Sequence, residues 1–126
     1  RFGFSEGLVF KQAVTKGVDP TMLGIGPVAA VQQLLTQTPF SINDINTFEI
    51  NEAFSSQVLA CQQQLHIPID KLNIWGGAIA TGHPYAASGA ALITRLFNME
   101  DKMTSIATMG IGGGMGNAAL LQREHF

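Results

Sequence analysis

The chain has 126 residues, enough to bury the core of one domain, and 46% of them are apolar whereas only 13% are charged. Its net charge of −2 provides no basic field for nucleic acid, and its single cysteine excludes an internal disulfide framework and a cysteine-based zinc site. No apolar run approaches the roughly 20 residues of a membrane helix, and no signal peptide is visible. We therefore expect a folded cytoplasmic domain without nucleic-acid or membrane partners.

The first elements are predicted to be a strand and a helix. Residues 1–7 are interpreted as an N-terminal arm or a cut end, and Leu8–Val14 is predicted to be a strand. The turn signal Gly17-Val18-Asp19-Pro20 follows. Gly26-Pro27 then opens a helix, because proline suits the first helical position, and Pro39 ends that region.

A strand, a helix and a second short strand are predicted next. Residues 44–50 form a strand with Phe48 and Ile50 on one face and with Thr47 and Glu49 on the other. Apolar residues recur at helical spacing over 52–65, which predicts an amphipathic helix, and residues 72–75 form a short strand.

The last elements are a helix over about 86–99 and two strands, 105–109 and 117–122, joined by a glycine-rich turn. The order is therefore β-α-β-α-β-α-β-β. Alternating strands and helices predict an α/β fold with a mostly parallel, five-stranded mixed sheet covered by helices. The final hairpin makes one edge strand antiparallel.

Two glycine motifs invite a phosphate-binding interpretation. The run Gly110–Gly116 fails the dinucleotide pattern, since Met115 occupies the third glycine position and no long helix follows. It is either a tight hairpin or a turn whose backbone N–H groups approach a ligand closely. The segment Gly24–Ala29 satisfies G-x-G-x-x-A before a helix, but no strand leads directly into it. It leaves a nucleotide-binding α/β module as one hypothesis.

Three side chains are candidates for chemistry. His83 lies in a loop of small residues before the third predicted helix, and histidine exchanges protons near neutral pH; a structural role is the alternative. Asn51 lies where a strand ends and a helix begins, either as a helix cap or as a site residue. Cys61 lies on an apolar stripe, which predicts a buried and inert thiol. The three histidines share no metal-ligand spacing.

Three blocks follow one another: Asn51-Glu52-Ala53-Phe54, then GGAIATGHP over 76–84, then IGGGMG over 111–116. Their order and spacing, over roughly residues 13–123, resemble the signature blocks of the C-terminal half of thiolases, the acetyl-CoA acetyltransferases and 3-ketoacyl-CoA thiolases. The resemblance implies that residues 8–126 form a thiolase C-terminal domain in a layered fold of two similar halves. The N-terminal half, with its nucleophilic cysteine, would be a partner.

The resemblance also implies roles for individual residues. His83 would activate the nucleophile and help to hold the thioester oxygen, and Asn51 would position a water in the same oxyanion hole. The N–H of Gly112 would contribute to a second oxyanion hole, and Ala53 and Phe54 would line the pantetheine tunnel. The substrate would be a coenzyme A thioester, with no tightly bound cofactor, and the parent enzyme would be a homo-oligomer active in lipid metabolism.

The sequence departs from the family pattern at Gly110, where thiolases usually carry the cysteine that shuttles the α-proton. Tyr85, Ala86 and Ala91 also differ from the common residues of their block. We expect an acyltransferase half-domain that is inactive by itself. The alternative is a catalytically inactive thiolase-like domain that binds acyl-CoA or a partner subunit.

Overall fold

The computed structural model of the chain describes residue 3, residues 5–99 and residues 103–126. The predicted arm over 1–7 therefore lies partly outside the described residues. Those residues contain one sheet of four strands, in the spatial order β1-β4-β3-β2. The strands are β1 (Glu6–Gly17), β2 (Thr47–Ile50), β3 (Thr104–Ile111) and β4 (Met115–His125).

The strand directions confirm a mixed α/β sheet and correct its layout. β4 pairs antiparallel with both β1 and β3, whereas β2 pairs parallel with β3. Three strands therefore share one direction and β4 opposes them, but the prediction that the antiparallel strand lies at an edge is wrong. β1 takes the edge because it pairs along nearly all of β4 on the side away from β3.

The predicted strand over 72–75 is wrong. Leu72 forms only an isolated parallel bridge with Phe48, which is why the described sheet has four strands and not five. A 3₁₀ turn over Ile69–Lys71 precedes the bridge, and Asn73 has a left-handed backbone (φ 45°) that turns the chain away at once. Pairing therefore ends after one residue.

Helices cover both faces of the sheet. They are α1 (Gly26–Thr36), α2 (Ser55–Leu65), the four-residue α3 (Ala78–Thr81) and α4 (Ser88–Asn98). α1 and α2 bury the larger cluster, which includes Val31, Leu34, Phe48 and Ile106. α4 packs on the opposite face through Leu92 and Leu96. Because that face is covered too, Thr47 and Glu49 are as buried as Phe48 and Ile50.

The start of α1 lies directly against the final hairpin. A Cβ added to Gly116 would approach the Gly26 carbonyl group to 2.1 Å, and one added to Gly26 would approach the Met115 oxygen to 2.4 Å. Two glycines are therefore required at this crossing, and the contact holds the 110–116 turn against the first helix. Within the described residues, no helix is long and apolar enough to cross a membrane.

Candidate active site

A cavity of about 340 Å³ opens at the carboxyl end of β2, the edge where α/β sheets place their sites. Its wall includes Asn51, Thr81, His83, Ser88 and Arg95. Asn51 directly follows β2, His83 lies in the loop after α3, and Ser88 and Arg95 lie on α4. Residues from three parts of the chain therefore line one cavity.

Asn51, His83 and Ser88 form a chain of contacts along this wall. The Asn51 Nδ2 lies 3.3 Å from His83 Nε2, and His83 Nδ1 lies 2.6 Å from the Ser88 Oγ. Asn51 and Ser88 are 4% and 3% exposed, so both ends of the chain are fixed in the protein while the imidazole between them is half-buried. Asn51 does not cap α2, which begins only at Ser55.

These contacts are compatible with either neutral tautomer of the imidazole. With Asn51 Nδ2 donating, Nε2 is the acceptor and Nδ1 carries the proton that it donates to Ser88. If the Asn51 amide turns over, Nε2–H donates to its oxygen and the Ser88 hydroxyl donates to Nδ1 instead. Because a hydroxyl both donates and accepts, Ser88 satisfies either tautomer.

A buried charge pair lies beneath the same wall. Arg95 Nη1 is 3.4 Å from Glu49 Oε2, and the second Glu49 oxygen has no hydrogen-bond partner among the described residues. Burial outweighs the nearby guanidinium and raises the pKa of Glu49 to about 7. Sequence reasoning missed both Glu49 and Ser88. Alternation along the strand placed Glu49 opposite the core, and nothing local marks a serine five residues after a histidine.

The glycine turn occupies the same edge of the sheet but does not line the cavity. Ile50 pairs with Thr108, and the Asn51 N–H donates to the Thr108 carbonyl at 2.9 Å, so Gly110 lies two residues further along the neighbouring strand. Gly112 is exposed in the turn between β3 and β4. The run is thus a hairpin whose tip projects beyond the strands.

Ala53 and Phe54, at the start of α2, are exposed on the surface, with 70% of Phe54 accessible, and neither lines the cavity. Tyr85 is also exposed and stands beside the imidazole, with 5.0 Å between its ring centre and that of His83. Its backbone is left-handed (φ 43°), which is rare for a bulky side chain and is found most often near functional sites.

The remaining candidates are not arranged as sites. Cys61 is buried, as predicted, and burial raises the pKa of its thiol. Gly24–Ala29 joins the end of a 3₁₀ turn (Pro20–Ile25) to the start of α1 and lacks the strand that a dinucleotide site requires. Within residues 3, 5–99 and 103–126, no three His, Cys, Asp or Glu side chains cluster as a metal site would require.

Sequence comparison matches residues 8–123 to the family described as thiolase, C-terminal domain. A Staphylococcus epidermidis protein that carries the name acetyl-CoA C-acetyltransferase VraB is 66% identical over 123 residues, which are 98% of this chain and 32% of that protein. A Staphylococcus aureus protein of the same name is 62% identical over 121 residues, 96% of this chain and 32% of that protein. The chain thus spans about a third of the length of these relatives.

Solved structures of thiolases also resemble this chain. The peroxisomal 3-ketoacyl-CoA thiolase of Saccharomyces cerevisiae, a five-layered structure built from two core domains of identical topology, gives a TM-score of 0.89 at 39% identity over 94% of this chain and 35% of its own. Acat5 thiolase from Ascaris suum, solved with coenzyme A, gives 0.89 at 34% identity over 94% of this chain and 31% of its own. The chain therefore belongs to the thiolase family, with residues 8–123 matching its C-terminal domain.

Proposed function

We propose that this chain is the half of a thiolase that supplies the histidine for acyl transfer between coenzyme A thioesters. The observation that carries the proposal is the Asn51–His83–Ser88 chain of contacts at the carboxyl edge of β2. It holds an imidazole in an open cavity by a short contact of Nδ1 to Ser88, and leaves the longer contact of Nε2 to Asn51 as the one that a thiol would replace. An imidazole whose Nδ1–H is held by Ser88 has Nε2 as its acceptor nitrogen, and Nε2 can take the proton of a thiol.

In the proposed first step, His83 takes the proton from a cysteine thiol of the N-terminal half. The thiolate attacks the thioester carbonyl carbon, the carbon–sulfur bond to coenzyme A breaks, and the departing sulfur receives the proton from His83. Donors at the Asn51–His83 end of the cavity, acting with a water positioned by Asn51, would hold the carbonyl oxygen while it is negative. The N–H of Gly112 would serve the second oxyanion hole, and Ala53 and Phe54 would contact the pantetheine arm.

The N-terminal half is the proposed partner, and an apolar groove supports a packed face beside α4. The groove has a volume of about 320 Å³ and is lined by side chains of β1, β3, β4 and α4 that include Phe10, Ile93 and Met109. Exposed apolar surface of this kind marks an interaction face. One solved relative is described as a dimeric peroxisomal thiolase, which supports a homo-oligomeric parent. A cytoplasmic role in lipid metabolism, with no tightly bound cofactor, completes the proposal.

Acylation by acetyl-CoA, measured as coenzyme A release in the first turnover, tests the proposal on two proteins. One is the 126-residue chain by itself, and the other is a chimera in which it replaces the matching C-terminal third of the Staphylococcus epidermidis relative. The isolated chain should release no coenzyme A, because its one thiol, Cys61, is buried. The chimera should form an acyl-enzyme. Turnover by the isolated chain, or a folded chimera that is never acylated, would contradict the proposal.

A further inference from the structure

We propose that Glu52 is a positioning residue that sets the distance between Asn51 and His83. Its two carboxylate oxygens contact two different parts of the chain. Oε1 accepts from Asn73 Nδ2 at 2.8 Å, and Oε2 accepts from the Ile79 N–H in α3 at 2.9 Å. Glu52 follows Asn51 directly, and α3 ends two residues before His83. One carboxylate therefore ties together the segments that carry both site residues.

The chemistry of the two contacts requires a carboxylate. An amide NH₂ and a backbone N–H are both donors, so both oxygens of residue 52 must accept. Glutamine has the same length but only one acceptor atom, so it satisfies one contact and presents its own NH₂ to the other donor. The site therefore distinguishes glutamate from glutamine, although they have nearly the same shape.

Asn73 extends the tie to the end of β2. Its Oδ1 accepts from the Ile50 N–H at 2.8 Å, and its Nδ2 donates to the Ile50 carbonyl at 2.9 Å as well as to Glu52. The residue before Asn51 is thus held on both of its backbone groups. Asn73 is 8% exposed and has a left-handed backbone, which fits a side chain committed to local backbone contacts.

α3 has little else to hold it. None of its four residues is buried, and 62% of Ile79 is accessible, so apolar packing contributes little to its position. The carboxylate also lies close to the backbone just before α3, since a Cβ on Gly77 would approach Glu52 Cδ to 2.3 Å. The effect of Glu52 on the position of His83 does not depend on any enzymatic activity, whereas its consequence for acyl transfer rests on the proposed function.

Nuclear magnetic resonance of the chain tests the inference without any substrate. In the unaltered chain, the Ile79 amide should exchange with deuterium at least about tenfold more slowly than an unfolded amide, since an interaction of about 1.4 kcal/mol is tenfold in rate. A cross-peak should join the Asn51 side-chain NH₂ to the His83 ring, whose nitrogens lie 3.3 Å apart. An unprotected Ile79 amide would overturn the inference with no variant needed.

Two variants disturb the carboxylate by different routes. Glu52→Gln removes one acceptor, and Gly77→Ala displaces the carboxylate while keeping its charge. Both should lose the Asn51–His83 cross-peak, move the His83 ring nitrogen shifts and speed Ile79 exchange about tenfold. Asp44→Asn is the matched control, because Asp44 likewise accepts from a backbone N–H, that of Ser41 at 2.7 Å, but far from the site in sequence. It should leave His83 unchanged.

The outcomes separate this inference from the proposed function. If either variant folds and keeps the His83 signals and the cross-peak of the unaltered chain, Glu52 does not position the pair. If the signals move as expected but the chimera described above is not acylated, the positioning role stands and the proposed function fails. In an active chimera, Glu52→Gln should lower kcat about 100-fold with KM little changed, as expected for a misplaced reacting group.

Discussion

Two regions at the same edge of the sheet are built in different ways. The Asn51–His83 region is held by side chains, with buried amide and hydroxyl groups and a half-buried carboxylate that each contact a neighbour. The hairpin over 110–116 has almost no side chains, and it is held where backbone meets backbone, Gly116 against Gly26 and Gly114 against Val18 and Pro20. The Val18 N–H also donates to the Gly114 carbonyl at 2.7 Å.

The difference predicts how each region tolerates change. In the side-chain region, the chemistry of a residue matters more than its volume, because each contact needs a particular donor or acceptor. In the hairpin, the volume of a side chain decides whether it is tolerated, and the space available differs from one position to the next. A Cβ on Gly116 meets backbone at 2.1 Å, whereas one on Gly112 meets nothing within 4 Å.

Gly110→Cys should have the largest effect, because it adds side-chain chemistry to the region that lacks it. An added Cβ would have only ordinary contacts, 3.7 Å from the Leu23 oxygen and 3.9 Å from Pro27, and Gly110 lies outside the left-handed region. In the chimera, Claisen condensation should rise about 10²–10⁴-fold, the usual contribution of a general base. Gly110→Ala fills the same space without a thiol and should not raise the rate; an equal rise would show that the thiol is not the cause.

Gly116→Ala should destabilise the fold by about 3 kcal/mol, since the methyl group forces two backbone segments apart. Urea denaturation of the chain measures this loss. Gly112→Ala is the matched control within the same hairpin and should change the free energy of unfolding by no more than about 0.5 kcal/mol. Similar losses in the two variants would contradict the backbone crossing.

Glu49 should make stability depend on pH. Its pKa of about 7 in the fold exceeds the ordinary 4.5, so the folded state binds the proton more tightly. The stabilisation is complete below pH 4.5 and is lost as pH rises to 7, by up to about 3 kcal/mol. Glu49→Gln should remove this slope in urea titrations at pH 5 and pH 8. If Glu49→Gln leaves the slope unchanged, another group causes the pH dependence of stability.

Ser88→Ala should have the smallest effect. It removes the partner of His83 Nδ1 but leaves the Asn51 contact, so acylation of the chimera should fall about tenfold, the worth of one ordinary hydrogen bond. Ser88→Thr keeps a hydroxyl and should recover part of the rate. Acylation that is unaffected by Ser88→Ala would show that Asn51 alone orients the ring.

Sequence periodicity predicted α1, α2, α4 and four of the five expected strands, because apolar stripes record which faces are buried, but it did not predict the four-residue α3. It failed where tertiary contacts decide. Leu72 makes one bridge because Asn73 adopts a left-handed backbone to bind Ile50 and Glu52, and no local pattern announces such a contact. The place of β1 beside β4 likewise depends on pairing across more than 100 residues of chain.

For the site, motif resemblance pointed to Asn51 and His83, which the fold brings together, and to Gly110 and Gly112, which lie on the neighbouring hairpin. The residues that support them were not predicted. Ser88, Glu52 and Asn73 make hydrogen bonds between segments that only the fold brings together. No spacing of residues along the sequence predicts these contacts.

The proposed role of His83 in acylation is tested most directly by the rate of coenzyme A release in the first turnover of the chimera. His83→Ala should lower this rate about 10²–10⁴-fold, whereas His125→Ala, which alters an exposed histidine at the end of β4, should leave it unchanged. An acylation rate that survives His83→Ala in a folded chimera would contradict the claim.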